Sequence, residues 1–279
     1  MIGVVSGMDY SSLFGGGSST DNLLSTILNG TSSSTKTGGG SNPLIALKLA
    51  QANEAKNIAS ETKNPQVAHD IAAFKKAVSG AKNIQSALSN PAVLKVLLTA
   101  NGLGDQLSYT GLATKALMSD PTNSRSLAQQ LSSTNAQWLA VARTFNFAKN
   151  GLASLTDPKV QSTLANGYAE VKWRQSLDSA NPGMSNALTF LEQARSIKNV
   201  DQILGDATNR DVVLTALNIP LQIAYQPLAA QEQAVASRLD VSKLQDPKFV
   251  QTFVQRYLLN KDASSASTSA ASGVVSLLA

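Results

Sequence analysis

A stretch that occurs twice restricts this chain more than any other feature. Val96 to Tyr109 reads VLLTANGLGDQLSY and Val212 to Tyr225 reads VVLTALNIPLQIAY; the two align without a gap at a spacing of 116 residues and share Val, Leu, Thr, Ala, Gln and Tyr. Where they differ, Gly102 faces Asn218, the two residue types that best tolerate the left-handed backbone ending a helix. At the other end Asn90 faces Asp206, both good N-caps, and Pro91 takes the favoured first helical position. The repeat therefore predicts one short capped helix with its exit turn, written twice. Its spacing exceeds that of solenoid units, whose periods run at about 20 to 50 residues. Two related helical bundles packed into one body are expected.

The remaining composition agrees with this. At 279 residues the chain can bury a core unaided, and the absence of Cys excludes disulfides, thiolate metal sites and Cys nucleophiles. Ala, Ser, Leu, Asn and Gln dominate while charged residues are 15%, a helical composition rather than a disordered acidic one. Lys and Arg outnumber Asp and Glu 12 to 7 through Asn150 and balance at 11 each afterwards, with no basic cluster. Binding to nucleic acid is therefore not expected. No apolar run approaches the roughly 18 to 20 residues of a membrane span, so membrane insertion is not expected. MIGVVSGMDYSSLFGGG lacks the basic start and apolar core of a cleavable signal, so export, if it occurs, is expected by a non-cleaved route.

Sustained alternation is missing throughout, and the fold class is all-α: an irregular helical bundle with two related halves. Residues 1–42 read as a flexible Gly/Ser-rich arm around an apolar patch at Leu23, Leu24, Ile27 and Leu28. A helical domain follows over 43–262, with the duplication placed at 84–147 and 200–258. Within it Asn42-Pro43 opens a helix through Ser60, and Asn64-Pro65 opens a second with Val67, Ile71, Phe74 and Val78 on one face. Leu107, Leu112, Ala116 and Leu117 fit a further amphipathic segment. A helix from about Ser126, with Leu127, Leu131, Trp138, Leu139, Val141, Ala142, Phe145 and Phe147, supplies the densest apolar material, and the core is expected to centre there. Later helices open at Asp157-Pro158 and Asp246-Pro247. Residues 263–279 read as a flexible Ser/Ala-rich tail with the apolar ending GVVSLLA.

Taken together, LTANGLGDQL, ARTFNFAKNGL, GYAEVKWRQSLD, ALTFLEQARSIKNVDQIL and KLQDPKFVQTFVQRYLL resemble, in order, a bacterial helical domain family of unknown function whose members are often encoded among flagellar genes. The resemblance covers roughly residues 84 to 260 and implies a helical fold and a flagellar or cell-surface context, with no established activity. Separately, VVSGMDYSSLF is similar to the opening of flagellar hook-cap proteins, and VVSLLA to the apolar endings of flagellins.

No catalytic, cofactor-binding or metal-ligating residue emerges, and neither a cofactor nor a small-molecule substrate is expected. His69 is the single histidine, which removes His-pair metal sites and reads as a solvated residue. Asp120, Asp157 and Asp246 each precede Pro and read as helix caps rather than a carboxylate set. Gly15 to Gly17 and Gly38 to Gly40 lack the Lys-Ser/Thr of a phosphate loop, and Gly102-Leu103-Gly104 sits at the wrong helix pole for phosphate. Trp138, Phe145, Phe147 and Trp173 read as core. Tyr109 and Tyr225 are expected to pack their rings as structural pivots, and Arg256 to anchor an inter-helix carboxylate. The function expected is that of a non-enzymatic structural or assembly protein of the flagellum, with an export chaperone or assembly regulator in the cytoplasm as the alternative. Its partners are expected to be flagellar proteins or further copies of the chain, held through the terminal residues Leu23, Leu24, Ile27, Leu28, Val274, Val275, Leu277 and Leu278.

Overall fold

A computed structural model of the chain describes residues 42–276, with side chains through residue 265. Every regular element among the described residues is helical. The helices are α1 (Pro43–Ala52), α2 (Glu54–Glu61), α3 (Pro65–Gly80), α4 (Ile84–Leu88), α5 (Pro91–Ala100), α6 (Thr110–Met118), α7 (Leu127–Leu131), α8 (Gln137–Phe145), α9 (Phe147–Asn150), α10 (Ala153–Thr156) and α11 (Pro158–Leu177). They continue as α12 (Met184–Gln193), α13 (Val200–Leu204), α14 (Ala207–Ala216), α15 (Leu228–Ala236) and α16 (Pro247–Ser276). Short 3-10 turns at Gly104–Tyr109, Ala194–Ser196, Leu221–Tyr225 and Val241–Gln245 link them.

The duplicated segment folds as its residues dictate. Asn90 Oδ1 accepts from the Ala92 amide at 2.9 Å to open α5, and Asp206 Oδ1 accepts from the Asn209 amide at 2.8 Å to open α14. Gly102 (φ 72°) and Asn218 (φ 52°) are left-handed. Just beyond them, Leu103 N–H donates to Leu98 O and Ile219 N–H to Leu214 O, each at 2.8 Å. These are equivalent Schellman closures, with Leu103 and Ile219 buried as the accompanying hydrophobic contact.

The duplication extends beyond the expected boundaries. At the same spacing of 116, Phe74 matches Phe190, Lys82 matches Lys198, Asn83 matches Asn199 and Leu88 matches Leu204, so α3 corresponds to α12 and α4 to α13. Asn83 caps α4 through the Ser86 amide at 2.8 Å, as Asn199 caps α13 through Gln202 at 2.9 Å. The closing helices correspond at a different spacing, 89: Asp157-Pro158-Lys159 with Asp246-Pro247-Lys248, Thr163 with Thr252, Tyr168 with Tyr257 and Lys172 with Lys261. The first half therefore carries 27 more residues before its closing helix, in the region of α7 to α10. Residues 126–147, placed in the repeat by the sequence, belong largely to this extra material.

Each half is a three-helix unit: α3, α5 and α11 pack on one another, as do α12, α14 and α16. The core is correspondingly double. One cluster runs from Val67 and Phe74 through Leu94, Leu97, Phe147 and Tyr168; the other joins Leu47, Trp173, Phe190, Val213, Phe253 and Tyr257. The expectation of one core centred on 126–147 is thus corrected. That stretch is broken into short helices between residues 131 and 137 and again at the left-handed Asn146 (φ 42°), and it supplies an edge of the first cluster. Two further differences are local. The first helix breaks at Asn53, whose amide Nδ2 turns back to Leu49 O at 3.0 Å. The backbone of residues 263–276 is helical as the end of α16, where a tail was expected from residue 263. Its many Ala residues have the highest intrinsic helix propensity.

Candidate interaction surface

The terminal residues expected to bind partners lie outside the described side chains. Leu23, Leu24, Ile27, Leu28, Leu277 and Leu278 fall outside the described residues, while Val274 and Val275 lie on α16, where only the backbone is described. The apolar surface that the structure does show comes from the duplicated exit turn. Tyr109 and Tyr225 are 61% and 89% exposed, which corrects the expectation that their rings pack. Each ends a 3-10 turn on the outside of its half. The burial at these exits is supplied instead by Leu103 and Ile219. Three residues further on, Leu112 and Leu228, also matched at a spacing of 116, are exposed in both halves, 37% and 56%. Leu112, read as a core-facing residue, therefore points outward, and Ala113, Ala116 and Leu117 form the buried face of α6. In the second half Leu221 is exposed as well.

A second apolar feature is a groove of about 460 Å³ between α1, α2 and the end of α11, lined by Ile45, Ala46, Leu49, Ala50, Asn53, Lys56, Asn57 and Leu177. No sequence pattern signals it, because it forms where the helix breaks at Asn53 between α1 and α2.

Polar clusters in the body join helices. In the first half Tyr168 Oη donates to Asp70 Oδ2 at 2.5 Å and Lys95 Nζ approaches the same oxygen at 2.7 Å. In the second half Tyr257 Oη donates to Asp211 Oδ2 at 2.7 Å, with Asn186 Nδ2 at 2.9 Å and Lys261 Nζ at 2.8 Å from Oδ1. Burial acts to raise both carboxyls, but the donated hydrogen bonds, from Lys95 and Tyr168 to Asp70 and from Lys261, Tyr257 and Asn186 to Asp211, bring each below its ordinary value. Both tyrosine hydroxyls are pushed up, by burial first and then by the adjacent carboxylate.

Where α2, α11 and α12 meet, the buried Arg174 pairs with Glu170 one turn away, with Glu54 at 3.0 Å and with Glu192 at 2.8 Å. Burial raises Glu170 to about 7; Glu192 and Glu54 add to this, and the Arg174 charge offsets only part of it. Arg174 therefore fills the architectural role expected of Arg256. The Arg256 guanidinium instead lies exposed over the Phe253 ring, 5.1 Å from its centre.

The other singled-out residues behave as follows. His69 is exposed, 4.0 Å from Asp70. Asp157 and Asp246 cap α11 and α16 through the amides of Lys159 and Lys248. Asp120 holds a turn instead of a helix, accepting from the amide and hydroxyl of Thr122. Trp138, Phe145, Phe147 and Trp173 are core. Among the described residues no group of three or more His, Cys, Asp or Glu is placed to hold a metal ion, and no helix is long and apolar enough to cross a membrane.

The chain superposes on the crystal structure of a protein from Agrobacterium tumefaciens with a TM-score of 0.63 at 20% identity, over 81% of this chain and 96% of that one. At that identity the likeness shows the fold alone. No curated protein matches the chain. A family model described as a protein of unknown function, DUF1217, matches residues 100–250, which include the exit turns of both halves. The chain belongs to the DUF1217 family.

Proposed function

We propose that this chain is a non-enzymatic structural or assembly protein of the bacterial flagellum, working through protein contacts and exported without cleavage. The observation that carries the contact-making part is the pair of matched outward residues, Tyr109 with Leu112 and Tyr225 with Leu228. Exposed Tyr is a residue type enriched at contact centres, where it buries a large rigid ring at low entropic cost. The flagellar part draws on the likeness of residues 84 to 260 to a family encoded among flagellar genes, and of VVSGMDYSSLF and VVSLLA to hook-cap and flagellin ends. In this reading Leu23, Leu24, Ile27 and Leu28 at one end, and Val274, Val275, Leu277 and Leu278 at the other, are additional anchors.

Localisation of the intact protein in cells with and without a working flagellar exporter tests the proposal. It should occur in sheared filaments or culture supernatant only when the exporter works. Retention in the cytoplasm of both strains would overturn export and leave the chaperone or assembly-regulator role. A Tyr109→Ser/Tyr225→Ser variant should fold normally, because both rings are exposed, yet lose about tenfold or more of its association with flagellar fractions. Undiminished association would remove the matched pairs from the contact.

A further inference from the structure

A small, partly enclosed polar pocket lies on the seam where the extra segment of the first half meets the second half. It measures about 10 Å³ and is lined by Asn135, Gln137, Gln193, Ser196, Gln202 and Asn209, among others. Most of its polar groups already have partners. Asn135 accepts from the Gln137 amide at 3.0 Å and donates to Asp206 at 3.2 Å; Gln202 accepts from Lys198 N–H at 2.8 Å; Ser196 donates to Gln193 O at 2.7 Å. Asn209 is the exception. Its backbone N–H is held by Asp206, but its side-chain Oδ1, in a residue 5% exposed, meets no protein donor.

A buried amide oxygen without a donor costs about 1 to 3 kcal/mol, and native interiors rarely leave one so. The volume matches one water molecule, which needs about 10 to 15 Å³ and two to four polar neighbours. We propose that this cavity is a binding site for a single structural water that donates to Asn209 Oδ1 and bridges to the lining Gln137, Gln193 and Ser196. Water suits the site in either orientation of the Asn209 amide, because it donates as readily as it accepts. The bridge would fasten the 126–147 segment to α12 and α14. At the same seam Asn135 reaches Asp206, and Gly205 leaves no room for a Cβ against Thr134 O, which would lie 2.6 Å away.

A crystal structure resolving ordered solvent, together with magnetic relaxation dispersion of water in solution, tests the site. One water within hydrogen-bond distance of Asn209, and one long-lived water signal that disappears in Asn209→Leu, are expected. Should that variant fail to fold, the measurements on the unaltered chain decide alone. An empty cavity in the crystal, the absence of any long-lived water, or a cation there revealed by sodium-dependent stability would each overturn the proposal.

Discussion

Replacing Glu170 by glutamine should remove a slope from the pH dependence of stability. The carboxyl sits on α11 between Arg174 on its own helix, Glu54 on α2 and Glu192 on α12. Burial foremost, with the two neighbouring carboxylates, raises it from its ordinary 4.5 to about 7. Between these values the folded chain keeps a proton that the unfolded chain has released. Stability therefore falls as pH rises through the window: the contribution is complete below about 4.5 and gone above about 7. Each pH unit is worth about 1.4 kcal/mol, which caps the effect at about 3 kcal/mol. That figure is an upper bound, because 26% of the side chain remains exposed and the three carboxylates share one guanidinium. Glutamine stays neutral throughout. Urea unfolding of both proteins across this range, compared as a difference so that Asp178 and Asp206, whose carboxyls burial also pushes up, cancel, should show the wild type losing stability relative to Glu170→Gln as pH rises. Parallel curves, or a difference of opposite sign, would refute the reasoning.

Three further outcomes are expected. Gly183→Ala should destabilise by about 2 to 4 kcal/mol in chemical denaturation, because Gly183 is left-handed (φ 86°) and a Cβ there would lie 2.9 Å from Tyr257 Cζ; a loss below about 0.5 kcal/mol would show that the α12 entry yields freely. Asn218→Gly should leave thermal stability nearly unchanged while Asn218→Ala costs about 1 kcal/mol, and equal effects would show that the exit turn does not depend on left-handed backbone. Lys95→Asp should cost about 2 kcal/mol or more by setting two carboxylates together, and Asp70→Asn/Lys95→Asp should recover most of it by reproducing the second half's arrangement; additive losses in a double-mutant cycle would reject the equivalence of the two sites.

Local chemistry made much of the body legible. Asx-Pro pairs marked the starts of α1, α3, α5, α11 and α16, and the Gly102/Asn218 match marked two exits, because capping depends on a few adjacent residues. The spacing of Val67, Ile71, Phe74 and Val78 named a buried face correctly. What escaped depends on distant partners. The match of α11 to α16 is hidden by the change of spacing from 116 to 89. The Arg174 cluster has one local pair, Glu170 at i,i+4, but it also joins residues as far apart as Glu54 and Glu192, which no local pattern announces. The outward Tyr109 and Tyr225 were misread because an aromatic ring repeated at an equivalent place suggests packing. A clue was present in the identical spacing to Leu112 and Leu228, beside exposed Thr110-Gly111 and Gln226-Pro227.

The two halves differ in a way that separates internal from external constraint. Each buries a tyrosine hydroxyl on its closing helix against a carboxylate backed by lysine. The carboxylate comes from α3 in one half, as Asp70, and from α14 in the other, as Asp211, which occupies the place of Lys95. Asn186 stands where Asp70 would be, and the cation moves to Lys261, the counterpart of Lys172. Packing therefore demanded a paired charge under the hydroxyl and was indifferent to which helix supplied it, since either arrangement satisfies the same buried groups. At the exit turn the reverse holds. Tyr109 and Tyr225, with Leu112 and Leu228, keep their identities although all four are exposed. On the proposed reading, that surface identity answers to a partner, as the exchange of carboxylate and cation in the interior answers to packing.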